Sequence, residues 1–355
     1  MPGIYPPPLT MKHTRNALLA SSLVLATAAW ADAPAAPEIH SENAEHLQGL
    51  TQVALASCQV YVLTEFEDGS TAQGGSTRGS ISSTHSNMKV VGLEDDKLQV
   101  LTDQLCQQVS DAVTARGVKV TDPAALQALP AMAALKAAAD PSPLAFDAKG
   151  GKGKVYSATG LPLLHVYENG WLHRNNMPFA PKVDDHYVSL GDKMSVGFRL
   201  TTLQPLVKDL AVAAQAPLLH ARLVLAPGGV QASKGGFFAS KTETVTTSTL
   251  VLPTFTNRLM LTTADGKVAR VSLNTAQLSE QGVGELADVT STAETAGNIA
   301  LAAFSILASA SGHGRAVINN SRKQELRTSH EAFDPVARQH TEPVIKALAG
   351  GLKAP

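Results

Sequence analysis

The chain has 355 residues, of which 44% are hydrophobic and 17% charged, with a formal net charge of −1. That balance fits a folded protein of one large or two ordinary domains and excludes a disordered chain. The near-neutral to acidic surface argues against nucleic-acid binding, which needs Lys/Arg patches to displace counterions.

The first informative stretch is MKHTRNALLASSLVLATAAWA, Met11 to Ala31. Lys12 and Arg15 form a positive n-region, and Ala17 to Ala29 form an apolar h-region. Ala29-Trp30-Ala31 is an A-x-A cleavage signal, so the exported chain is expected to begin at Asp32. The apolar run is short for a bilayer span. Residues 1–10 read as an upstream extension ahead of the n-region, and together with the signal they make up residues 1–31. Removing Lys12 and Arg15 takes the formal net charge from −1 to −3. The expected location is the periplasm, with secretion as the alternative.

Residues 32–56 are predicted to form a Pro/Ala linker and a helix over about Asn43–Ala56. A strand then covers Gln59–Phe66, apolar on both faces as in a covered sheet. Residues 69–86 hold thirteen Gly, Ser or Thr among eighteen and are predicted to be a flexible loop, not a phosphate cradle. Leu98, Leu101, Leu105, Val109 and Val113 recur at helical spacing and predict a helix over Asp95–Arg116, stopped by Gly117. A short strand at Val118–Val120 follows, then a helix with Asp122 as N-cap and Pro123 in the first turn.

Residues 140–160 read as a second loop, and Leu163–Arg174 as a hairpin turning at Asn169-Gly170. Together they suggest an insertion over about 150–200. Thr202 is expected to cap a helix leading to a strand over Leu218–Leu225. After a Gly-rich break at 228–236, strands are expected at Glu243–Leu252 and Arg258–Leu273, turning at Asp265-Gly266. Ser291-Thr-Ala-Glu294 is a capping box for a helix to about Ser309. Residues 311–355 read as a tail with a short helix, Pro343–Ala349. The order of elements predicts an α/β fold (α+β), a mixed sheet with helices packed on it. Its main domain would span 57–310.

Cys58 and Cys106 are the only cysteines. An even count in an exported chain invites a disulfide. Measured from a shared level at Phe66 and Asp95, however, Cys106 lies about 17 Å along its helix and Cys58 about 26 Å along its strand. An offset of about 10 Å favours two buried thiols over a bond.

No motif assigns catalysis. Gly150-Gly-Lys-Gly-Lys154 lacks the Ser/Thr and helix of a P-loop. Gly75-Ser-Thr-Arg-Gly79 lacks the spacing of a nucleophile elbow. His165 and His173 fall on opposite faces of their predicted hairpin, which argues against a shared metal. Asp184-Asp185-His186 is a compact polar cluster, and Gly312-His313-Gly314-Arg315 could expose a histidine. No catalytic, cofactor or metal residue is assigned, and no cofactor is expected.

The element order resembles the periplasmic α/β domains of CsgG-type curli secretion lipoproteins and, more loosely, the N-terminal domain of TolB. The matching features are the acidic aromatic turn Phe66-Glu67-Asp68-Gly69-Ser70, the helix Leu98–Arg116 and the strand–helix Val118–Leu129. The strand Ala216–Leu225, the turn Thr263–Lys267 and the helix Ser291–Ser309 complete the pattern across residues 57–310. The chain departs from it in lacking a lipobox cysteine, in a longer 69–93 loop and in the 150–200 insertion.

The resemblance implies a non-enzymatic envelope protein that binds a protein partner or self-associates, with peripheral contact to the outer membrane as a further expectation. The alternatives are a periplasmic hydrolase, with Asp184, His186 and His313 as first suspects, and a small-ligand binder.

Overall fold

In the computed structural model the described residues are 36–73, 81–148, 151–165, 167, 190–234, 242–291 and 317–353. They form an α/β fold on a mixed sheet of eleven strands. Its main path is β1 (Ile39–Glu42), β12 (Val268–Leu273), β11 (Arg258–Thr262), β7 (Leu218–Leu225), β2 (Gln52–Gln73), β3 (Ile81–Val91), β15 (Val317–Thr328) and β14 (Gly284–Asp288). The short β4 (Lys119–Val120) and the pair β5 (Leu144–Ala148) and β6 (Gly151–Ser157) join β2 off this path. β8 (Gly229–Lys234) pairs with β9 (Thr242–Thr247), and β10 (Thr249–Leu252) with β13 (Gln277–Gly282).

Both faces of the central sheet are covered. Cys58, Val60, Ala221, Leu223, Leu259 and Val271 pack against α1 (Asp95–Thr114) and α5 (His330–Gly350). The opposite face meets α2 (Pro123–Gln127), α3 (Pro130–Ala137) and α4 (Leu190–Ala214) through Leu126, Leu135, Leu203 and Val207. This double cover explains why every residue of β7 is buried.

β2 organises the molecule. Its 22 residues span about 70 Å at strand rise. Residues 54–62 pair in parallel with β7, and residues 59–66 pair antiparallel with β6 on the opposite edge. Beyond the end of β7, residues 65–73 pair antiparallel with β3. β15 runs parallel to β3 over its full length, Val317 opposite Ile81 and Arg327 opposite Val91. The upper half of β2 thus leaves the body as a ribbon with β3 and β15, an arm with β8 and β9 packed on it.

Several expectations change. No helix covers Asn43–Ala56: Asn43 and Gly49 take left-handed φ of 52° and 66°, so only a 3₁₀ turn forms at Ala44–Leu47, and β2 begins seven residues before Gln59. The expected turn at Phe66–Ser70 is paired strand: β2 continues through it to Gln73, β3 starts at Ile81, and 74–80 lie outside the described residues. The Ser and Thr side chains of the expected 69–86 loop give no apolar alternation, but β3 is laddered on both edges, so backbone pairing sets the structure there. β5 and β6 occupy most of the expected 140–160 loop, and β8 most of the Gly-rich break.

α4 starts at Leu190, and Thr202 is no cap: its hydroxyl bonds the Phe198 carbonyl at 3.2 Å within the helix. The residues after 311 provide β15 and a 21-residue α5 that runs through Pro335 and Pro343. Phe333, Ala337, Val344, Ile345 and Leu348 bury one face of that helix, and their packing outweighs the donors that proline lacks. The 163–174 hairpin turn and the 291–309 helix fall largely outside the described residues.

Candidate functional site

Cys58 and Cys106 are joined by a disulfide, with Cα atoms 5.9 Å apart. The expected offset disappears because β3 carries the chain back down β2 before α1 begins. Asp95 accepts from Lys154, which stands opposite Val62 and not Phe66. From that level Cys58 is about 13 Å away along the strand and Cys106 about 17 Å along the helix. The two now meet, and the bond clamps α1 to the part of β2 that pairs with β7.

Most of the other residues singled out from the sequence fall outside the described part of the chain. Ala29, Ala31 and Asp32 at the cleavage signal lie outside the described residues, as do Asp184, Asp185, His186, His173 and His313. Among the described residues no cluster of His, Cys, Asp and Glu could hold a metal ion.

The structure instead reveals a polar row in the interior, on the sheet face toward α2, α3 and α4. Strand register sets Gln59 beside Arg222, Arg222 beside Arg258, and Arg258 beside Ser272. The next row in register joins Ser57, His220, Met260, Arg270 and Glu42. Alternation along each strand puts these residues on one face while Cys58, Ala221 and Val271 point to the other. Arg222 and Arg258 are among the largest fully buried side chains of the protein.

Arg222 lies 4.2 Å over the ring of Tyr61, a cation–π contact in a dry setting. The Tyr61 hydroxyl donates to Gln59 Oε1 at 3.2 Å and meets His165 Nδ1 at 2.9 Å. Arg270 pairs with Glu42 at 3.2 Å. Tyr167 reaches Thr262 at 3.2 Å and sets its ring 5.4 Å from that of His220.

Ser57 Oγ stands 2.8 Å from His220 Nδ1, the spacing of a nucleophile and its base. Two features oppose that role. The pair is fully enclosed in the core, and among the described residues His220 Nε2 has no hydrogen-bond partner to orient the ring as a third catalytic group would. Burial pushes the imidazole from 6.5 down to about 3, so it is neutral at every ordinary pH. The hydrogen bond between the hydroxyl and the neutral imidazole runs in either direction according to the tautomer. A signal for the row was present in the sequence: Leu-Leu-His-Ala-Arg-Leu-Val-Leu places a histidine and an arginine two apart inside an otherwise apolar strand.

The second distinctive surface is the arm. Phe66, Met88, Val90 and Leu326 form its buried face, and Gly228 approaches so closely that a Cβ there would press on Met88 and Leu326. Glu65, Lys89 and Glu325 share one row of pairs, between the Phe66–Met88 and Val90–Leu326 rows, on the opposite, polar face. At the end of the sheet β14 pairs only with β15 among the described residues, and it leaves Leu286 37% and Val289 39% exposed.

No family model matches the chain, and neither a curated protein nor a solved structure matches it.

Proposed function

We propose that the protein is an exported, non-enzymatic component of the cell envelope, and that its arm binds a protein partner or further copies of the chain. The supporting observation is the arm itself. Three strands continue past the body as a ribbon, and the sheet ends on a strand with exposed apolar side chains. An edge strand offers a row of backbone donors and acceptors that another strand can complete. The edge strand carries the charges Glu285 and Asp288, and the apolar side chains Leu286 and Val289 stand exposed beside them.

Export is supported by the signal-like stretch before Asp32 and by the disulfide, which persists in oxidising compartments. The resemblance in element order to CsgG-type envelope domains points the same way, and peripheral contact with the outer membrane belongs to the same reading. No helix among the described residues is long and apolar enough to cross a membrane.

The test is a single charge on the edge. Leu286→Lys should abolish cross-linking of the chain to itself or to an envelope partner while leaving the circular dichroism unchanged. Equal cross-linking in both proteins would remove the edge from the proposal.

A further inference from the structure

His330 opens α5 where the arm meets the body. β15 ends at Thr328 and α5 starts two residues later. The neighbouring β3 ends at Val91, and Glu94 is the N-cap of α1. The two exits touch: Gly92 has φ 98°, and a Cβ there would collide with the Thr328 carbonyl oxygen. One imidazole bridges them. The backbone N–H of Glu94 donates to His330 Nε2 at 2.8 Å, so that nitrogen carries no hydrogen. Nδ1 therefore carries it and donates to Asp334 Oδ1 at 3.0 Å. The side chain is only 6% exposed, so water is poorly placed to substitute for either bond.

We propose that His330 is a proton-sensitive staple between the arm and the helical layer. Protonation puts a hydrogen on Nε2, which then faces the Glu94 N–H donor to donor, and that bond is lost. The bond to Asp334 survives and gains charge assistance. A proton thus keeps the ring on its own helix and releases it from α1.

The charged groups on the elements that meet here are Asp334 and Glu331 on α5, Glu94, Asp95, Asp96 and Lys97 at the start of α1, Lys89 on β3, and Glu325 and Arg327 on β15. Lys97 is tied to Glu94 at 3.3 Å, and Arg327 to Glu325 at 3.3 Å. The arm is joined to the body through β2 as well, so release loosens the β3 and β15 roots without detaching the arm. The inference does not depend on what the arm binds.

The experiment is amide exchange on the full chain at about pH 7.5 and about pH 5, the span over which histidines change charge, corrected for intrinsic rates. In the wild type, protection of peptides covering 88–98 and 322–332 should fall about tenfold at the lower pH, the loss of about one hydrogen bond. Protection of Leu218–Leu225 reports global opening, the contribution of His220 included, and is the reference against which the fall at the roots is read. His330→Gln offers an acceptor that does not titrate, and it should show equal root protection at both pH values. Should that variant not fold, Asp334→Asn decides, because it removes the carboxylate that favours the proton and should move the wild-type transition to lower pH. Root protection independent of pH in the wild type, an equal fall in His330→Gln, or an unmoved transition in Asp334→Asn would each overturn the proposal.

Discussion

At the residue scale, two buried features make measurable contributions to stability. The disulfide closes a loop with a sequence separation of 48, which in the chain-entropy picture is worth about 4 kcal/mol. A Cys58→Ser, Cys106→Ser double variant, or reduction of the wild type, should lower the denaturation free energy by up to about that amount. Urea unfolding with and without reductant checks it. His220 sets a pH dependence. Its folded value lies near 3 and its unfolded value near 6.5, so the unfolded chain binds the extra proton between them. Stability should be unaffected by this group above about pH 6.5 and fall by about 1.4 kcal/mol per unit as pH drops toward 3. His220→Gln should flatten that slope. Neither feature was fully legible beforehand. The cysteine pair was visible as a pair, but its geometry depended on β3, which the Ser/Thr-rich composition concealed. The polar row was hidden because its members lie on five strands and converge only through register.

At the element scale, helices with apolar periodicity and strands with apolar faces read true. α1 ends two residues from its expected stop, and β7 matches its expected bounds. Leu105 sits at the centre of α1, fully buried against the sheet and α5. Leu105→Ala should cost about 2–5 kcal/mol, measurable by denaturant unfolding. Elements held by partners rather than pattern were missed. β3 and β15 are stabilised by each other's backbone over eleven paired positions, and no local signal reports a partner more than two hundred residues away. Gly92 marks where they meet the body. Gly92→Ala meets both an unfavourable φ and the Thr328 carbonyl, so it should destabilise the fold by about 1–3 kcal/mol or more. The loss should appear first as faster amide exchange at the β3 and β15 roots.

At the scale of the whole molecule, the protein is a covered α/β body from which one long strand carries a ribbon outward. The body encloses Arg222, Arg258, Arg270 and His220 in an interior row on the sheet. The arm's sheet ends on β14, whose outer edge is unpaired among the described residues. That edge underlies the proposal that the arm recognises protein. The most direct measurement is the solution mass of the chain from Asp32 onward, by size exclusion with multi-angle light scattering, coupled to cross-linking in envelope extract. A mass above that of one chain, or a defined cross-linked protein, with Leu286→Lys abolishing either, is the predicted result. A strict monomer that cross-links to nothing in the envelope would contradict it.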